Sequence, residues 1–204
     1  MRIVKWSLGI VISIIVIVLL MSRFGNFNKP SFLQLLKDAE KGNVLAQYDI
    51  GERYSRGEGV SPDYKEAFKW IKLAADQGYV NAQLKLGKMY LDGIGIPKDY
   101  QKAFRTYKLA ADQGQAQAQF FLGYMYLTGQ GVTVDFKQSF KLFSLASDNG
   151  EVQAKCLLVE MYASGTGTSK DLKKAKQLAL EGMKEGTKAT ICKIVWDKYS
   201  LGKY

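Results

Sequence analysis

The chain has 204 residues, a formal net charge of +10 and no histidine. Without histidine it lacks the commonest general base, the commonest metal ligand and the usual partner of a serine or cysteine nucleophile, which argues against triad and zinc chemistry. Three prolines, 20 glycines and 47% apolar residues describe an ordered, glycine-punctuated helical protein, long enough for a short membrane segment and one ordinary domain.

Residues 1 to 30 carry Arg2, Lys5, Arg23 and Lys29 and no acid, which leaves +6 on the remainder. There the lysines share helix faces with Glu and Asp, the pattern of a solvated surface, and no nucleic-acid partner is expected. Trp6 to Ser22 is uncharged, and Ile10 to Met21 is almost wholly aliphatic. At about 1.5 Å per residue this stretch gives roughly 25 Å of helix, the short end of what crosses a hydrocarbon core. An N-terminal transmembrane anchor is therefore expected over residues 1–24, then a short connector over 25–30. No pair of small residues follows the apolar run to form a cleavage site, and no cysteine near Met21 could accept a lipid, so the anchor is read as uncleaved. Arg2 and Lys5 tilt the amino terminus inward. The expectation is a single-pass membrane protein; in a bacterium its body lies in the periplasm.

From residue 31 onward the chain repeats. Gly42, Gly78, Gly114, Gly150 and Gly186 are each 36 residues apart, and so are Ala46, Ala82, Ala118 and Ala154. Tyr54, Tyr90, Tyr126 and Tyr162 keep the step, as do Gly57, Gly93, Gly129 and Gly165, then Asp63, Asp99, Asp135 and Asp171. Five columns in phase describe a repeat architecture with two helices per unit. In the second unit Val80 to about Leu91 is the first helix, ended at Gly93 and Gly95, residues suited to positive φ. Asp99 then caps the second helix, which runs to Gly114. Asp63 with Glu66, and Asp135 with Gln138, have capping-box spacing. Small residues at Ala67, Ala103, Ser139 and Ala175 let helices approach.

The run Leu86-Gly87-Lys88-Met89-Tyr90-Leu91-Asp92-Gly93-Ile94-Gly95-Ile96, with Asp99-Tyr100, Ala103 and Lys108-Leu109-Ala110-Ala111-Asp112-Gln113-Gly114, closely resembles the Sel-one-like repeat, a cousin of the tetratricopeptide repeat. The resemblance covers about residues 31–204. It weakens late in the chain, where Val159 replaces the glycine after Leu158, Leu172 stands in the column of Tyr64 and Tyr100, and Gly182 and Met183 replace Ala74 and Ala75. It implies an all-α, right-handed helical-repeat solenoid of about four helix-turn-helix pairs over residues 43–78, 79–114, 115–150 and 151–186. Single helices near Ser31–Lys41 and Lys188–Leu201 flank them, and the transmembrane helix precedes them.

In such a stack the first helices line a concave groove. Positions 46, 50, 53 and 54 form the core face, and positions 45, 48, 52 and 55 point the other way. The groove candidates are Tyr48, Leu84, Leu91, Phe120, Tyr124, Leu127 and Trp196, with Glu52, Lys88 and Glu160 at the rim. These side chains serve either to pack neighbouring first helices or to anchor a partner's helix or extended segment. Cys156 and Cys192 stand one repeat apart in the same column. At the roughly 9 to 10 Å expected between equivalent positions they are too distant to bridge, so two free thiols are expected.

No phosphate loop or zinc spacing is present, and the recurrent aspartates are caps rather than paired carboxylates. No catalytic residue, cofactor or metal is assigned, and the chain is read as a non-enzyme. The resemblance implies an adaptor that captures a protein or peptide, and the apolar N-terminal stretch makes it a membrane-anchored one. The alternatives are an immunity protein that neutralises a secreted toxin enzyme and a binder or hydrolase of cell-wall fragments.

Overall fold

The computed structural model describes residues 31–184 and 190–201. Among them are ten helices and no strands, stacked as a solenoid: α1 (Phe32–Glu40), α2 (Val44–Arg56), α3 (Tyr64–Asp76), α4 (Val80–Asp92), α5 (Tyr100–Asp112), α6 (Ala116–Thr128), α7 (Phe136–Asp148), α8 (Val152–Ser164), α9 (Leu172–Met183) and α10 (Thr190–Lys198). Each helix packs on its chain neighbours, so contacts are those of a quasi-one-dimensional array. The helices α2, α4, α6 and α8 open the four complete repeats, and α3, α5, α7 and α9 close them.

The recurrent columns do local work. The carboxylates of Asp63, Asp99, Asp135 and Asp171 accept hydrogen bonds from the amides of Glu66, Lys102, Gln138 and Lys174 at 2.8–3.1 Å, satisfying donors that the first turn leaves free. The Lys102 amide hydrogen bond, followed by the Lys102 side chain, holds the Asp99 carboxyl below its ordinary pKa. The first helices end at Gly57, Gly93, Gly129 and Gly165, all left-handed. Gly95 is required for another reason: a Cβ there would sit 2.1 Å from the carbonyl oxygen of Tyr64, where the loop closes on the preceding second helix.

Aromatic pairs knit one repeat to the next. Phe32, Phe68, Phe104 and Phe140 meet Tyr54, Tyr90, Tyr126 and Tyr162 edge to face at 5.3–5.5 Å. Because Phe32 makes the same contact as the others, α1 takes the place of a second helix in the stack. A buried amide ladder adds direction. The Nε2 atoms of Gln47, Gln83 and Gln119 donate to the carbonyl oxygens of Ala39, Ala75 and Ala111 at 3.1–3.4 Å. Their Oε1 atoms accept from Gln77, Gln113 and Asn149 at 2.6–3.0 Å. The column then changes to Lys155.

The substitution of Val159 for glycine has a packing explanation. Gly51, Gly87 and Gly123 lie against Ile71, Tyr107 and Phe143, and a Cβ at any of the three would come within 2.7–2.9 Å of the facing side chain. In the fourth repeat the bulk changes sides: the first helix carries Val159 and the second carries Ala179, both fully buried in one cluster. Volume is conserved across the helix pair, which is what a close-packed core tolerates best.

Two expectations are corrected. The described helices have 9 to 13 residues, about 14 to 20 Å of rise, and none is long and apolar enough to cross a membrane. The single-pass membrane assignment with a periplasmic body is therefore not supported; the segment Trp6–Ser22 on which it rested lies outside the described residues. The second correction concerns the cysteines. Cys156 and Cys192 form a disulfide with their Cα atoms 4.6 Å apart. The expected separation came from successive complete repeats, whose first helices touch each other only marginally through their backbones. The helix α10 instead packs directly on both α8 and α9. Gly182 makes this possible: it stands in the column of Ala74, Ala110 and Ala146, and a Cβ there would lie 2.4 Å from the Cys192 sulfur.

Candidate binding groove

The side chains that the first helices turn away from the core form one surface whose chemistry changes along the stack. Equivalent positions carry Glu52, Lys88, Tyr124 and Glu160. Glu52 is buried and held by Arg56 at 2.5 Å and by Lys85, reaching across from α4, at 2.8 Å. Glu160 pairs with Lys198 of α10 at 2.5 Å, and this hydrogen bond, then the carboxylate charge, raises the lysine pKa. Both acids are neutralised within the fold. Lys88 is exposed and has no ionic partner among the described residues, and Tyr124 is 41% exposed.

Between them lies an apolar centre. The helix α6, Ala116–Thr128, has no charged residue over thirteen positions. A cavity of about 390 Å³ opens between α4 and α6, lined chiefly by Leu91, Tyr100, Phe120, Phe121, Tyr124 and Met125, with Asp92, Lys98 and Gln130 at its edge. A second, of about 220 Å³, lies against Tyr48, Leu84, Lys85, Lys88 and Phe121. Phe121 is the wall common to both. A third, of about 320 Å³, is bordered by Leu127, Leu157, Glu160 and Tyr199. Beneath Phe121, stacked on it at 5.0 Å, is the ring of Tyr107. Its hydroxyl is buried without a hydrogen-bond partner, and burial, then the charge of Asp92, pushes its pKa up.

The expected site residues divide by burial. Lys88 and Tyr124 are exposed; Tyr48, Leu84, Leu91, Phe120, Leu127 and Trp196 are half-buried, and Glu52 is buried. Tyr48 meets Tyr79 edge to face at 5.1 Å, and burial, then the Glu52 charge, raises its pKa. Phe120 packs on Phe143 and Phe121, and Trp196 rests on the cluster of Val159, Ala179 and Val195 near the chain's end. Several candidates thus hold neighbouring helices together as well as lining the surface. Phe121, Lys85, Lys98 and Tyr100 also line the cavities but are absent from the expected set. Phe121 and Lys85 share a column with Asp49, whose polarity hides it on a helical wheel. Tyr100 and Lys98 come from the second helix and its loop, beyond the reach of any first-helix pattern.

A rival apolar surface lies on the second helices, where Leu73, Leu109 and Leu145 are 40%, 56% and 42% exposed at one repeat position. Ion pairs of Lys72 with Asp76 and Lys108 with Asp112 flank it. The cavity beside it is bordered by Lys108, Asp112, Gln138 and Lys141, so its rim is charged.

With this geometry in view, the repeat can be matched to known families. Sel1 repeats match over residues 44–79, 80–115, 116–151 and 154–182. The chain belongs to the Sel1 repeat family. Sel1 repeats are generally protein-interaction modules, typically non-catalytic, and the partners of such modules are proteins. Among solved structures, a Sel1 repeat protein from Oxalobacter formigenes is 32% identical, with 84% of this chain and 68% of that one covered at a TM-score of 0.75. The c5321 protein of uropathogenic Escherichia coli, described as a protective antigen with this fold, is 36% identical at a TM-score of 0.75, covering 78% of this chain. The present chain spans about a third (34%) of that protein's length. Cysteine rich protein B of Helicobacter pylori shares the fold at 23% identity and a TM-score of 0.50, over 63% of this chain and 92% of that one. No curated protein matches the sequence.

Proposed function

We propose that this Sel1 repeat protein captures a segment of another protein along its first-helix surface, with α6 at the centre of the contact. The observation that carries the reading is the charge-free helix α6 beside a cavity of about 390 Å³ walled by Leu91, Phe121 and Tyr124. Interface hot spots are often aromatic and central, and the aromatic lining of this cavity supports that reading.

Tyr124 is the residue to test, because it is exposed and its loss leaves the core intact. Phe120 is unsuitable: it packs between Phe121 and Phe143, and its truncation should cost about 3 kcal/mol of stability. A photo-crosslinking residue at position 124 should trap the partner in cells, whereas one at position 109 on the outer leucine row should not. Tyr124→Ser should weaken partner binding by about 2 kcal/mol, or roughly thirtyfold. Crosslinks from position 109 alone would move the site to the second helices. Neutralisation of a toxin enzyme is the narrower form of this reading; its signature is a stoichiometric one-to-one complex that abolishes that enzyme's activity.

A further inference from the structure

The proposal above leaves the chemistry of the captured segment open, and the inference that follows rests on it. Around the two cavities that share Phe121, the acids and bases mostly cancel: Glu52 is held by Arg56 and Lys85, and Asp49 pairs with Arg53. The charges without an ionic partner among the described residues bordering these cavities are Lys88, Lys98 and Asp92, an excess of one positive charge. The helix α6 supplies none. An incoming carboxylate therefore finds an unmatched ammonium at Lys88, whereas an incoming cation finds only Asp92, which lines the other cavity together with Lys98. Burying a second cation near Lys88 would add repulsion without a compensating pair.

Geometry adds a spacing. Lys88 and Tyr124 hold equivalent positions in successive first helices, a step of one helix diameter, roughly 10 Å. An extended chain advances about 3.3 Å per residue, so about three residues cover that step. We propose that the groove binds an extended, acidic peptide segment: an Asp or Glu on Lys88 and, three residues away, a bulky apolar side chain in the cavity between α4 and α6. Aromatic stacking on Phe121 and Tyr124 supplies the anchor, and the charge sets the register.

The test is selection of a displayed library of random twelve-residue peptides on the full-length chain, repeated with Lys88→Glu, Tyr124→Ala and the outer-face control Leu109→Glu. The expected outcome is enrichment of sequences with an acid three positions from Phe, Trp, Leu or Met. A synthetic peptide of that consensus should bind Lys88→Glu roughly tenfold or more weakly, and the selection on that variant should turn to Lys or Arg at the acidic position. Lys88 is exposed, so thermal unfolding of the variant should match the parent chain. Enriched peptides that depend on Tyr124 but show no acidic preference would overturn this inference and leave the groove standing. Peptides lost with Leu109→Glu and kept with Tyr124→Ala would overturn the groove as well, and so would the absence of any enrichment.

Discussion

Tyr107 shows how one side chain is fixed by its place in the stack. Its ring fills the space that Gly87 leaves, where a Cβ would come within 2.7 Å, and its hydroxyl is buried with no partner. An orphaned buried hydroxyl costs about 1 to 3 kcal/mol, and the equivalent position one repeat later is Phe143. Tyr107→Phe should therefore stabilise the fold by about 1 kcal/mol in urea unfolding. The same variant has a pH signature. Burial raises the Tyr107 pKa above its ordinary value of 10.0, so its neutral form is favoured when folded. Its contribution is fully present below pH 10 and is lost as pH rises further, because the unfolded phenol ionises first. At pH 11 the parent chain should have lost about 1 kcal/mol more than Tyr107→Phe. Gly87→Ala should cost about 2 kcal/mol, since the tyrosine ring has nowhere to go.

At the scale of the element, the informative helix is α10. Its attachment rests on a small cluster of Val159, Ala179, Val195 and Leu201, on the Lys198 ion pair and on the disulfide. The two sulfurs are fully buried, and Gly182 leaves them room. The covalent link thus adds to the packing of α10 on α8 and α9. Mass analysis without reductant should find the intact chain two daltons lighter than its reduced form. Cys192→Ser should cost about 4 kcal/mol, following the loop-closure cost of a bridge between residues 36 apart. In a nearest-neighbour stack that loss stays local: hydrogen exchange should accelerate in α9 and α10 and remain unchanged in α2 to α5.

For the whole molecule, regularity and function pull against each other. A stack of identical repeats would give a uniform surface, and recognition needs one place to differ. Here the difference is concentrated in α6, whose uncharged face is flanked by Lys88 on one side and by the Glu160–Lys198 pair on the other. The outer leucine row repeats evenly through three units and so marks no single position along the stack. The Tyr124 crosslinking comparison decides between these two surfaces.

The repeat period, the two-helix unit, the aspartate caps and the glycine ends are legible in the residues alone, because each is a local requirement that recurs every 36 positions. Local rules of capping and φ need only a few neighbours, so a linear pattern carries them. Four features depend on what packing brings together: the disulfide, the exchange of bulk between Val159 and Ala179, the burial of Glu52 under two cations, and the cavity shared by Phe121 and Tyr100. Spacing along the sequence carries no distance between equivalent positions, because that depends on which helices pack together. The helix α10 packs directly on both α8 and α9 and so brings the Cα atoms of Cys156 and Cys192 to 4.6 Å, a distance that only the tertiary structure sets.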